Sequence, residues 1–125
     1  MNMATSTLKT KLTIDRIMNW GNYNAVGDYS LTKPITNYKF LLFRLGSSTD
    51  QAAGGGTQYA IFPTFILAEY NPEATNGLNY YLNGKWYNIA FYFKNATTLS
   101  IVIVRNITDG NASMGNGIRE IIAIA

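Results

Sequence analysis

The segment Leu78 to Phe93, LNYYLNGKWYNIAFYF, constrains the fold more than any other part of the chain. Asn83-Gly84 lies between two runs rich in aromatic and β-branched residues. That dipeptide supplies the positive φ angles of a type I′ turn, whose twist matches that of two antiparallel strands. With Leu82 opposite Lys85, side chains alternate across the hairpin. Leu82, Tyr80, Tyr87, Ile89, Phe91 and Phe93 share one face, and Tyr81, Trp86, Asn88 and Tyr92 share the other. The first set predicts a core face, so the chain must be built from sheets.

The same grammar runs through the whole sequence. Gly, Asn, Asp and Pro punctuate it about every ten residues, and the intervals are rich in Ile, Val, Thr, Phe and Tyr, the pattern of an all-β sandwich or barrel. The pattern predicts strands over Lys11 to Met18, Asp28 to Thr32, Tyr38 to Leu45, Gln58 to Ala68, Leu78 to Leu82, Lys85 to Lys94, Thr98 to Ile107 and Ile118 to Ile124. No segment carries a helical period. Residues 1–10, rich in Thr and Ser, read as a flexible lead or linker stub, and 11–125 as a single β-sandwich domain of antiparallel sheets.

Two of these strands are apolar on both faces: Phe40 to Phe43, inside DYSLTKPITNYKFLLFRL, and Ile61 to Leu67. An antiparallel sheet in a monomeric sandwich usually gives one face to water, so both runs call for cover from loops or from another copy of the chain. Pro63 cannot donate to a ladder and suits an edge or bulge. An apolar edge needs covering. The uncharged terminal run NGIREIIAIA likewise needs tying into a sheet or an interface. An oligomer is the expectation.

Several function classes drop out on composition. The formal charge is only +3 and its Lys and Arg are scattered, which is not a nucleic-acid footprint. With neither Cys nor His in the chain, Ser-His-Asp and Cys-His units are impossible and the commonest metal ligands are missing. The first residues lack a signal-peptide core, and no apolar run approaches the roughly 18 residues of a membrane helix, so membrane insertion is not expected.

Local motifs add little chemistry. DGNASMGNGIRE, Asp109 to Glu120, spaces oxygen ligands like a calcium loop, but Met114 stands where the sharp turn needs Gly and the flanks are β, so no metal is expected. GGGT at Gly54 to Thr57 lacks the Lys and the following helix of a phosphate loop. Asn95-Ala96-Thr97, Asn106-Ile107-Thr108 and Asn111-Ala112-Ser113 match the glycosylation pattern by composition. Glycoside hydrolysis needs two carboxylates about 5 to 9.5 Å apart, and spacing singles out no pair, Glu69 and Glu73 being the nearest candidates. No catalytic residue, no enzyme activity and no cofactor are expected.

The aromatic residues are the informative class. Trp20, Tyr23, Tyr70, Tyr81, Trp86 and Tyr92 fall outside the predicted core. In NWGNYNAVGD, Trp20 and Tyr23 alternate with Asn19, Asn22 and Asn24. Flat rings beside amides suit a sugar surface: the ring covers the C–H face of the sugar and polar groups fix its hydroxyls. The candidate carbohydrate-binding set is Trp20, Tyr23, Asn24, Tyr70, Tyr81, Trp86 and Tyr92, with subunit contact and simple packing as its competitors.

Placed on strands, DYSLTKPITNYKFLLFRLG and GIREIIAIA resemble the opening and closing strands of a recurrent C-terminal domain of bacteriophage and prophage tail fibres, tailspikes and baseplate receptor-binding proteins. The resemblance covers the layout from Leu12 to Ala125. It implies a jelly-roll-type sandwich, commonly a homotrimer about the fibre axis, in the virion and made in the bacterial cytoplasm without a signal peptide. Its implied function is non-enzymatic recognition of a host-surface polysaccharide or lipopolysaccharide. The alternative is a structural trimerisation or capping domain of a longer fibre or depolymerase, with a glycan hydrolase as a third reading. No binding residue transfers from the family.

Overall fold

The computed structural model describes residues 13–47 and 58–125. The predicted lead at residues 1–10, Lys11, Leu12 and the Gly-rich stretch 48–57 lie outside the described residues. Among the described residues eight strands follow in order: β1 (Ile14–Met18), β2 (Gly27–Ser30), β3 (Phe40–Ser47), β4 (Gln58–Pro63), β5 (Asn76–Leu82), β6 (Lys85–Asn95), β7 (Thr98–Asn106) and β8 (Asn116–Ile124). They form two four-stranded sheets. Sheet A has the order β1-β8-β3-β4 and sheet B the order β2-β7-β6-β5. All pairings are antiparallel. The fold is an all-β sandwich. As in a jelly roll, the first two strands pair with the last two in separate sheets, whereas the β3-β4 and β5-β6 hairpins each stay within one sheet.

The β5-β6 hairpin adopts the expected register, with Leu82 opposite Lys85 and Tyr81 opposite Trp86. Asn83 and Gly84 have φ angles of 51° and 84°, which the type I′ turn requires. Alternation then carries Leu78, Tyr80, Leu82, Tyr87, Ile89, Phe91 and Phe93 into the core. Sheet A meets them with Ile17, Leu41, Phe43, Leu45, Ile118, Ile121 and Ala123. The layers join through rings: Phe43 lies 4.8 Å from Phe91 between centroids, and Phe62 contacts both at 5.3 and 5.5 Å. At the rim, the Gln58 side chain donates a hydrogen bond to the Tyr81 carbonyl, tying edge strand β4 to edge strand β5.

One expected strand is corrected. The run Gln58 to Ala68 is extended only to Pro63, after which Thr64–Leu67 forms the short helix α1. Pro63 ends the ladder because it has no N–H to donate, and it sits on the edge strand as its chemistry requires. Ala68 then donates to the Thr64 carbonyl at 2.9 Å. The run looked apolar on both faces because it joins a strand and a helical turn of different periods: Thr64 and Leu67 turn inward while Phe65 and Ile66 stay exposed. A second short helical element, a 3-10 turn over Ile35–Asn37, precedes β3 and buries Ile35.

Candidate functional site

The outward faces of the two sheets carry different chemistry. On sheet B, the cross-strand register lines up Tyr81 with Trp86, Asn79 with Asn88 and Arg105, and Gly77 with Ala90 and Ile103. Tyr81 is 48% exposed and Trp86 52%, with their rings edge to face at 5.2 Å. Asn88 Nδ2 donates to Asn79 Oδ1 at 2.8 Å, which leaves Asn79 Nδ2 and Asn88 Oδ1 for an outside partner. Beyond them the small residues Gly77 and Ala90 lower the surface, and a Cβ on Gly77 would come within 3.5 Å of Asn79 Nδ2. Tyr92 stands six residues from Trp86 on the same face of β6, roughly 20 Å away at the strand rise. The face thus carries an exposed ring pair, amides beside it, the small residues Gly77 and Ala90 next to Ile103, and the half-buried Tyr92 beyond.

The rim of this face is fixed by ion pairs. Lys94 Nζ lies 2.6 Å from Asp28 Oδ2, and Lys85 Nζ lies 2.6 Å from Asp109 Oδ2. The hydrogen bond from Lys94 holds the Asp28 carboxyl below its usual range, and that from Lys85 does the same for Asp109. Asp109 also accepts from Asn106 Nδ2 at 2.9 Å.

Trp20 lies elsewhere, over sheet A. The guanidinium carbons of Arg44 and Arg119 approach its ring centroid at 4.9 and 4.8 Å. A bulge in β8 opposite Arg44 and Leu45 brings Arg119 there. Below them Glu120, 1% exposed, receives Arg16 Nε at 2.7 Å and Arg44 at 3.2 Å. Trp20 is therefore neither a plug in the end of the sandwich nor a free platform; it is the half-buried lid of a charge cluster.

Tyr23, Asn24 and Tyr70 belong to packed loops. Tyr23 exchanges backbone hydrogen bonds with Ile118, donates its hydroxyl to the Asn19 carbonyl and stacks edge to face on Tyr29. Space for it depends on glycine: a Cβ at Gly117 would meet the Tyr23 carbonyl oxygen at 2.7 Å. Asn24 Nδ2 donates to the Met114 carbonyl at 3.0 Å. Tyr70, with φ of 52°, packs half-buried against the core after α1. Of the seven candidates the structure thus brings Tyr81, Trp86 and Tyr92 onto one face and leaves the other four apart from it. Asn79 and Arg105 were missed. The hairpin alternation already placed Asn79 beside Tyr81, but Arg105 depends on the β6-β7 register, which two irregularities shift.

The calcium-like spacing comes apart in three dimensions: Asp109 is held by Lys85 and Asn106, and Glu120 by Arg16 and Arg44. Among the described residues no three of Asp, Glu, His and Cys gather into a metal-binding group. Glu69 and Glu73 are both exposed on the loop after α1. Among the described residues no helix is long and apolar enough to cross a membrane. No protein-family model matches the chain, and neither does any curated protein.

Proposed function

We propose that the chain is a non-enzymatic receptor-binding domain of a bacteriophage tail protein that holds a bacterial surface glycan on the outer face of sheet B. The observation that carries this reading is the exposed Tyr81–Trp86 pair beside the Asn79–Asn88 amides. Rings of that kind cover the apolar faces of sugars at low entropic cost, and the amides read hydroxyls. The strand-borne resemblance of DYSLTKPITNYKFLLFRLG and GIREIIAIA to tail-fibre domains supplies the biological setting, the virion. The test is binding to a panel of bacterial lipopolysaccharide and capsular glycans by wild type, Trp86→Ala and Gly77→Leu. A Cβ at Gly77 meets only ordinary contacts, from Asn79 Nδ2 and Asn88 Nδ2, so the larger residue adds bulk beside the amides. The expected result is loss of binding in both variants with unchanged melting. Unaltered binding in both contradicts the proposal.

A trimerisation or capping role in a longer fibre or depolymerase is the second reading, and the outer face of sheet A favours it. Register lines up Ile14, Ile124, Phe40 and Pro63, and next to them Arg16, Ile122, Leu42 and Ile61. Ile61 is 61% exposed, and Phe65 on α1 extends the patch at 76%. A face that apolar is what a subunit interface covers. Light scattering of wild type against Ile61→Asp tests it, with a trimer mass that falls to the monomer in the variant. A wild-type monomer at micromolar concentration removes the reading.

A further inference from the structure

The outer face of sheet B carries one feature that a neutral sugar does not call for. Arg105 stands on the outer face of β7, in line with Asn88 and Asn79 and diagonal to Trp86. It is exposed and makes no ion pair among the described residues. Both carboxylates at the rim of this face are already taken, Asp109 by Lys85 and Asp28 by Lys94. Arg105 also helps to line an open pocket of about 380 Å³ with Asn106, Ile107, Gly110 and Asn111. Ile107 of that lining donates its N–H to the Trp86 carbonyl at 2.9 Å. An aromatic platform, a pair of amides and an unengaged guanidinium therefore share this face.

Resting on the glycan reading of the same face, we infer that the preferred ligand is an acidic saccharide whose carboxylate pairs with Arg105 while its ring lies on Trp86. A guanidinium offers two parallel N–H donors that match a carboxylate, a stronger and more directional contact than any it makes with a hydroxyl. A neutral glycan offers that cation only hydroxyl oxygens, which match the guanidinium less well.

The experiment measures binding to bacterial capsular polysaccharides, each in native and carboxyl-reduced form, with wild type, Arg105→Gln and Trp86→Ala. Circular dichroism melting serves as the folding control. Wild type is expected to bind carboxylate-bearing glycans, to lose at least tenfold in affinity on their reduction, and to weaken as the ionic strength rises. Arg105→Gln is expected to melt as wild type and bind the native and reduced forms equally. If wild type binds reduced or neutral glycans as well as native ones, and through Trp86, the carboxylate assignment falls and the glycan reading stands. Binding confined to phosphate-bearing glycans and unaffected by reduction also overturns the assignment. If no glycan binds, or binding ignores Trp86→Ala, both fall.

Discussion

The two outward faces of this sandwich are made by the same alternation rule and have opposite characters. Sheet A presents Phe40, Leu42, Ile61, Ile122 and Ile124, closed at one end by Glu120 with its arginines. Sheet B presents Asn79, Asn88 and Arg105 between exposed rings, and its charges are paired at the rim. A sheet that only had to be soluble would need neither arrangement. Apolar rows suit a flat protein partner, whereas separated rings with amides suit a small polar ligand. One alternation rule thus gives sheet A an apolar outer row and sheet B a polar one flanked by rings.

Changes at the two faces should therefore have unequal costs. The largest falls on Glu120→Ala, which leaves the largely buried Arg44 without its carboxylate while the exposed Arg16 turns to water; chemical denaturation should show a loss of roughly 3 kcal/mol. A loss below about 1 kcal/mol would mean that the cluster holds nothing together. Trp20→Ala should come next. Its ring meets two guanidiniums, so about 1–2 kcal/mol should be lost by the same measurement. A cost under about 0.5 kcal/mol would reassign Trp20 to the surface.

Tyr38 belongs to neither face and provides a pH control. Its hydroxyl donates to Asp15 Oδ2 at 2.6 Å, and this bond raises the Tyr38 pKa from 10.0 to about 12 while lowering that of Asp15. With the folded Tyr38 value raised and that of Asp15 lowered, the stabilisation is complete between 3.8, the ordinary Asp15 value, and 10.0; it fades as the pH climbs through about 12 and, at the acid end, as the pH falls through the lowered Asp15 value. Melting curves of wild type and Tyr38→Phe should differ at neutral pH and converge toward pH 12, and a gap that stays constant would show the bond to be without effect. The smallest stability change is expected at the sheet B platform, where Trp86→Ala should stay within about ±0.5 kcal/mol of wild type. A cost near that of Trp20 would erase the contrast between the faces.

Much of this arrangement was legible in the sequence. The Asn-Gly turn set the register of β5 and β6, and period-two alternation then placed Tyr80, Leu82, Tyr87, Ile89, Phe91 and Phe93 inward and Tyr81, Trp86, Asn88 and Tyr92 outward, as found. The apolar outer face of β3 was visible in the unbroken run from Phe40 to Phe43. What escaped depended on contacts between distant segments. The bulge that turns Arg119 toward Trp20, and the pairing that seats Glu120 under Arg16, join residues about a hundred positions apart. Nothing in NWGNYNAVGD announces that Trp20 packs on arginines. Helix α1 was hidden because four residues are too few to display a helical period.

Hydroxyl-radical footprinting with and without a bound capsular polysaccharide tests the division between the faces most directly, since each carries exposed, oxidisable rings. The glycan should protect Trp86 and Tyr81 on sheet B and leave Phe40, Tyr59 and Phe65 on the sheet A side unchanged. Protection of Phe40, Tyr59 and Phe65 with Trp86 and Tyr81 unaffected would contradict the account.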